Sequence, residues 1–317
     1  MTARSAASGT GARAAAKRAP AFRKVALVGR SHRAAVGKRL AELEIWLDKK
    51  GLETVLVRGE ESLPGLGWTP DPDSVAAARA CDLLVTLGGD GTILAGARIV
   101  AGTDIPVLPI NLGGLGFLAS FEGKNMLEGL GQALDGGLQV ERRSLLRAVL
   151  EPHGTTRPRP LGVALNDVVV KQPTTFRALR MDVFADAQFL GHVVADGLVA
   201  ASPSGSTAYS LSAGGPVIAP GLEAIVVTPI CPHTLGMRAL CLSPKVELSV
   251  TIRSRDAAGA IVSLDGLEGI PAGPRDTVRV RLAPDAVRFL RRIGPVLTAA
   301  LPVKLGWSAA PARAPRT

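Results

Sequence analysis

In the run CDLLVTLGGDGTIL over residues 81–94, one carboxylate, Asp90, is set among Gly88, Gly89 and Gly91, and Thr92 follows. Three glycines around one acid allow a tight turn in which backbone N–H groups approach a ligand closely. The apolar residues from Cys81 to Leu87 read as a short buried strand, and a helical pattern follows the turn. A helix opening there presents its positive end to the same place, which makes a phosphate site beside the acid. Two roles fit Asp90. It caps the helix, or it stands beside a phosphate held by Gly88, Gly89, Gly91 and Thr92.

A second unusual stretch, DGLVAASPSGSTAYSLSAGGP over 196–216, holds five serines, a threonine, a tyrosine and four glycines. A Gly/Ser linker is one reading. Leu198, Val199 and Leu211 interrupt it, and a loop-to-helix turn offering hydroxyls and N–H groups to sugar and base is the other. Asp196 suits ribose hydroxyls, as acids do in other nucleotide sites. Asn166 and Asp167, at the end of ALND, add an amide and a carboxylate before a strand, or form a simple Asx turn. His32, His153, His192 and His233 have no metal-ligand spacing, and no residue is assigned as a metal ligand.

These groups need a scaffold. Val25–Val28 reads as a strand. Val36, Leu40, Leu43 and Leu47 then share one face of a helix over 34–50, which Gly51 ends. A strand over 53–58, a polar loop over 59–74, a short helix over 75–80, the strand before GGDGT, a helix over 93–101 and a strand over 105–110 follow. Alternating strands and helices predict a parallel sheet whose ligands bind at the carboxyl ends of strands. GGDGT and the loop 111–116 both fall at such ends. Neither GxGxxG after the first strand nor GxxxxGK[ST] is present, so the phosphate site is of neither common type.

A short helix with Leu127, Leu130 and Leu134 on one face stops at Gly136-Gly137. From about 138 the pattern is mostly strands: 139–150, 161–170, a hairpin over 179–194 bending at 186–188, then 245–253, 259–264 and 277–282. The fold class expected is α/β, an N-terminal parallel-sheet domain followed by an all-β, sandwich-like domain. The expected boundaries are a disordered basic tail over 1–24, the α/β domain over 25–125, the β domain over 126–290, a segment over 291–308 returning toward the first domain, and a disordered tail over 309–317.

The 317-residue chain is 47% hydrophobic and 20% charged, enough to bury a sizeable core. No apolar run of about 18 residues is present, so no membrane span is expected. Cys81, Cys231 and Cys241 form no CxxC pair, which fits a reducing cytoplasm. The formal charge is +10. Residues 1–24 contribute six basic residues and no acid, and the rest are scattered without a basic helix interleaved with aromatics. Nucleic acid is therefore not expected as the partner, and a polyanionic small substrate uses the same charge.

Taken together, GGDGT at 88–92, NLGGLGFL at 111–118, LND at 165–167, the 196–216 stretch, CPHTL at 231–235 and KLGW at 304–307 resemble the NAD kinase family, in its order and over roughly 24–308. GGDG alone is shared with diacylglycerol- and sphingosine-type lipid kinases; GSTAYSLSAGGP is the specific part. The resemblance implies an α/β domain and a β-sandwich domain with the site between them. It implies transfer of the γ-phosphoryl of ATP to the 2′-hydroxyl of the adenosine ribose of NAD, a divalent cation, usually Mg2+, and a homodimer or homotetramer. It also implies that Asp90 is the proton acceptor, that Gly91 touches the dinucleotide, and that Asn166 and Asp167 hold adenosine. Asp196 would lie toward the nicotinamide end, and Ser204 would line the pocket. Thr207, Ala208, Tyr209, Ser210, Leu211 and Ser212 would enclose adenine and ribose, and Arg177 would reach in from a neighbouring subunit. Two positions depart from the family pattern. Leu267 follows Asp265-Gly266 where a polar residue is usual, and Val194 stands where some members carry a charge.

Overall fold

The computed structural model describes residues 22–30, 32–61, 68–113, 117–173, 178–219, 221–234, 236–253, 259–294 and 301. Residues 1–21 of the expected 1–24 tail, the expected tail over 309–317 and most of the expected return segment over 291–308 lie outside them; Phe22 is buried and Lys24 already belongs to the first strand.

The N-terminal sheet is built on apolar runs short enough to be strands and buried on both faces. β1 (Lys24–Val28) pairs in parallel with β2 (Glu53–Val57), while β3 (Gly59–Glu61) and β4 (Trp68–Pro70) form a separate antiparallel pair. β5 (Leu83–Gly88) lies on the other side of β1, and β6 (Pro106–Asn111) lies beyond β5, both parallel. Helices cover both faces. α1 (Ala34–Lys49) buries Val36, Leu40, Leu43 and Leu47, the four residues of the predicted stripe. α2 (Pro72–Ala78) and α3 (Asp90–Val100) pack on the opposite face with Trp68 and Ile93. The short β7 (Phe121–Glu122) joins β6, and α4 (Met126–Leu134) returns to the α1 face through Met126, Leu130 and Ala133.

The expectation of a loop over 59–74 is corrected. Trp68 is 4% exposed and anchors the β3–β4 pair in the core. Asp71 then caps α2, its carboxylate accepting from the Ser74 N–H at 3.0 Å, with Pro72 opening the helix.

The C-terminal half consists of β8 (Gln139–Glu151), β9 (Arg159–Ala164), β10 (Asp167–Lys171), β11 (Leu179–Ala185), β12 (Gln188–Ala195), β13 (Gly197–Ala201), α5 (Tyr209–Ser212), β14 (Ile225–Ile230), β15 (Leu240–Leu242), β16 (Leu248–Ile252), β17 (Ala260–Leu264), β18 (Ile270–Ala272) and β19 (Thr277–Arg291). One antiparallel sheet runs β15-β14-β13-β10-β17-β18. Facing it, β12-β11-β16-β19, with β8 attached to β19 and β9 to β8, closes a second layer over a core that includes Met181, Val250, Val262 and Val278.

The two halves share a sheet. β19 bulges between Leu282 and Ala286, and its last residues then pair in parallel with β6, Arg288 with Pro106 and Phe289 with Val107. Phe289 is fully buried there, a contribution of about 2 kcal/mol from area alone. The single strand expected over 161–170 is corrected to two. The chain leaves one sheet at Ala164 and enters the other at Asp167, and Leu165 and Asn166 make the step.

Candidate active site

β5 ends on Gly88, and α3 opens two residues later. Gly89 is the N-cap in extended conformation, with no side-chain cap, and Asp90 is the first helical residue. The helix-cap role for Asp90 therefore falls away. Its carboxylate sits in the first turn, where the helix dipole favours negative charge. A Cβ on Gly88 would stand 2.5 Å from Thr92 Oγ1, so the turn needs glycine there for close packing. The Leu112 N–H donates to the Gly88 carbonyl at 3.1 Å, and the Gly113 N–H donates to Asn111 Oδ1 at 2.8 Å, which fixes the two glycine loops side by side.

Between these loops and the turn after β1 lies a cleft of about 410 Å3, lined by Gly88, Gly89, Gly91, Thr92 and Gly113 together with Arg30 and Arg33. The two arginines were missed in the sequence. Their signal was available: they stand just past the carboxyl end of the first parallel strand, on the edge where such sheets bind ligands.

The second group of residues gathers on the β10–β13 pair. Asp265, at the turn after β17, is buried, and its carboxylate accepts three successive backbone N–H groups: Leu165 at 2.9 Å, Asn166 at 2.7 Å and Asp167 at 3.2 Å. Asp265 has φ +50°, and its own N–H donates to the Asp167 carbonyl at 2.9 Å. Arg98 of α3 reaches the same carboxylate at 3.3 Å, so this acid ties α3 to the LND step. Burial pushes the Asp265 carboxyl up, while the N–H groups and Arg98 oppose that shift. Leu267 forms part of this tight turn through its backbone, its N–H donating to the Leu264 carbonyl and its carbonyl accepting from Ser263 Oγ at 2.7 Å.

Burial, and then the Asp265 charge, push the Asp167 carboxyl up to about 7. The Asn166 side-chain carbonyl oxygen is buried without a hydrogen-bond partner. Such an atom costs free energy until something donates to it, and an adenine amino group or ribose hydroxyl is a donor of that kind. Gly205 packs directly on this residue: a Cβ there would overlap the Asn166 carbonyl and lie 2.7 Å from its Cα. The Ser202 N–H donates to the Asn166 carbonyl at 2.8 Å, and Ser202 Oγ donates to the Leu165 carbonyl.

The serine-rich stretch divides into structural and open hydroxyls. Ser204 is buried and accepts from Arg143 Nη1 at 3.1 Å. Ser206 donates to the Pro203 carbonyl at 2.7 Å and accepts from the Ile218 N–H at 2.9 Å. Ser210 is fully buried and bonds Thr228 at 2.8 Å, so only its backbone remains for a ligand. Thr207 donates to the Ser204 carbonyl at 3.1 Å. Ala208 and Leu211 are half-buried, and Tyr209 and Ser212 are exposed. Burial, and then the charges of Cys231, Asp167 and Asp196, raise the Tyr209 phenol. Asp196, at the other end of β13, accepts from Gln172 Nε2 at 3.3 Å. Arg177 lies outside the described residues.

Arg143 and Arg291, both buried, share Glu141 beneath Ser204, and burial pulls the Arg143 guanidinium down to about 10. Sequence reasoning missed this support, because ERRSLL reads as an ordinary alternating strand. Among the described residues no three His, Cys, Asp or Glu side chains cluster as a metal cage.

The arrangement offers a cleft lined by glycines and arginines at the start of the helix that Asp90 opens, and a group of amide, carboxylate and aromatic side chains joined to that helix through Arg98 and Asp265. Comparison with known proteins matches both halves of the chain to one family. Residues 26–138 match the ATP-NAD kinase N-terminal domain, and residues 165–292 match the ATP-NAD kinase C-terminal domain. The chain is 36% identical over 287 residues to an NAD kinase of Pseudomonas putida (strain W619), covering 90% of this chain and 96% of the relative. To an NAD kinase of Marinobacter nauticus it is 35% identical over 288 residues, covering 90% and 97%. The fold is similar to that of yeast NADH kinase complexed with NADH, with TM-score 0.82 at 24% identity, covering 92% of this chain and 90% of that one. It is also similar to an Archaeoglobus fulgidus NAD kinase in complex with ATP, with TM-score 0.64 at 23% identity over 85% and 94%.

Proposed function

The chain belongs to the NAD kinase family, and from that membership we propose how its residues divide the transfer of the γ-phosphoryl of ATP to the 2′-hydroxyl of the adenosine ribose of NAD, giving NADP and ADP. The observation that carries the division is the cleft at the start of α3, lined by Gly88, Gly89, Gly91, Arg30 and Arg33, beside the turn in which Asp90 opens the helix.

The N–H groups of Gly88, Gly89 and Gly91, with Thr92 and the two arginines, hold and neutralise the phosphates. Asp90 accepts the proton of the 2′-hydroxyl as that oxygen bonds to the γ-phosphorus and the bridge to the β-phosphate breaks. A placed carboxylate supplies about 10²–10⁴-fold in such a step. Asn166 and Asp167 hold adenosine from below, with Asn166 Oδ1 as an acceptor waiting for a donor. Thr207, Ala208, Tyr209, Leu211 and Ser212, and the backbone of Ser210, enclose the base and ribose, and Ser204 supports them from within. Asp196 faces the nicotinamide end, and Arg177 contributes from a neighbouring copy.

The cation is Mg2+. Mg2+ is commonly held through substrate phosphates and waters with few protein ligands, so no residue of this chain is assigned as its ligand. When bound it neutralises charge on the transferring phosphoryl. The protein works as a homodimer or homotetramer in the cytoplasm. All three cysteines are free, and no described helix is long and apolar enough to cross a membrane.

The test is NADP formation by the purified chain with NAD and ATP, run beside inorganic polyphosphate as donor and diacylglycerol as acceptor. NADP forms with ATP and no phosphorylated lipid appears. Absence of NADP under saturating ATP overturns the division.

A further inference from the structure

At the other end of α3, some eleven residues from Asp90, lies a second cleft of about 430 Å3. Four arginines line it, Arg79, Arg98, Arg147 and Arg281, against a single acid, Asp285. We propose that this cleft is a second, non-catalytic site for a small phosphate-bearing molecule with an apolar portion.

Its charge is cancelled only in part. Arg147 meets Asp285 only at 3.9 Å, and its Nε is buried without a hydrogen-bond partner. Arg281 is exposed at the rim. A helix carboxyl end would repel an anion. Here Arg79 covers that end, its Nε donating to the Ile99 carbonyl at 2.7 Å and its Nη2 to the Ala101 carbonyl at 3.0 Å. Arg98 is engaged by Asp265 at 3.3 Å. The guanidinium forks of Arg147 and Arg281 remain as the groups suited to bidentate phosphate recognition.

The rest of the wall is apolar, with Val149, Pro160 and Val163. A bare inorganic ion would leave that surface against water, whereas an organic phosphate covers it. The volume lies in the ordinary range of small-molecule sites, roughly 300–1,000 Å3.

The experiment uses the full chain in its solution assembly with saturating NAD and ADP, so that the catalytic cleft is filled. The probe is 1-naphthyl phosphate, followed by calorimetry. Wild type binds it saturably, one per chain. Arg147→Ala/Arg281→Ala binds at least about tenfold more weakly, the loss expected of two charge-assisted contacts. A charge-matched control elsewhere, Lys38→Ala/Lys245→Ala, changes affinity by less than about twofold, as for remote screened charges. The exposed single change Arg281→Glu gives the same direction of loss if the double variant melts early. The proposal is overturned by absence of saturable binding, by equal losses in the two double variants, or by 1-naphthol binding as tightly as its phosphate.

Discussion

Arg98 Nη1 stands 3.3 Å from Asp265 Oδ2, a carboxylate with no exposed side-chain surface. Arg98 belongs to the helix that Asp90 opens, and Asp265 holds the backbone of Leu165, Asn166 and Asp167. One ion pair thus ties the helix at the glycine-lined cleft to the backbone step at Leu165, Asn166 and Asp167. Removing one partner of a buried pair leaves an uncompensated charge, which costs on the order of 3 kcal/mol. Arg98→Ala is expected to lower the urea midpoint accordingly and to raise KM for NAD more than it lowers kcat. Arg98→Lys is expected to recover most of the midpoint and part of KM, because the charge returns without the planar fork. An unchanged KM in Arg98→Ala would reduce the pair to a stability device.

Gly205 and Asn166 are in closer contact than any side chain permits. The Cβ introduced by Gly205→Ala would overlap the Asn166 carbonyl, which is backbone and has no rotamer to yield. Overpacking of this kind costs about 1–3 kcal/mol. The expected result is a lower thermal midpoint and a rise in KM for NAD of at least tenfold, with KM for ATP nearly unchanged. Equal rises for both substrates would mean that the damage is global.

These two contacts show what was legible in the sequence and what was not. The α1 stripe was readable because four leucine-like residues at helical spacing leave one burial pattern, and all four are buried. GGDGT was readable as a strand-to-helix turn because an apolar run ends on it and a helical pattern follows, and β5 and α3 meet there. β13 was not, because Gly197, Ala200 and Ala201 look like loop residues. They are buried because β10 and β14 flank the strand on both sides. β19 was read as ending at Leu282, since Pro284 and Asp285 break the alternation. The chain bulges there and continues into the other half. Asp265 gave no signal beyond a turn, because its role is to collect N–H groups from 98–100 residues earlier in the chain.

Asp167 sets a pH dependence with a definite sign. Its carboxyl is raised from 3.8 to about 7 by burial and by Asp265. The unfolded chain releases that proton near pH 4, whereas the native chain holds it until about 7. Between those values the native state binds more protons, so stability is lost as pH rises. The gap corresponds to at most about 4 kcal/mol. Asp167→Asn removes the term. In ligand-free protein its melting temperature is expected to exceed wild type by more at pH 8 than at pH 4.5. A difference independent of pH would show that Asp167 titrates normally.

Arg30 lines the glycine cleft and stands 3.7 Å from where a Gly91 Cβ would be. If the cleft holds the donor phosphates, Arg30→Ala raises KM for ATP by about tenfold, the value of one charge-assisted contact, and leaves KM for NAD within a factor of two. The salt dependence of KM for ATP also weakens. A larger effect on NAD than on ATP would assign the cleft to the acceptor.

Asp90 is the sharpest test, because its two roles separate cleanly. Gly89 is the N-cap, so Asp90 does not cap the helix, and its first-turn charge adds a dipole contribution worth about 0.3–1 kcal/mol at the surface. Asp90→Asn keeps the shape and removes the base. The expected outcome is a melting temperature nearly unchanged, NAD affinity by calorimetry within a few-fold, and kcat for NADP formation reduced by about 10²–10⁴. If the carboxylate takes the 2′-hydroxyl proton, the acidic limb of the wild-type kcat profile also disappears in Asp90→Asn. Normal turnover by this variant would leave the first-turn acid without a chemical part and move the proton acceptor to another group in the cleft.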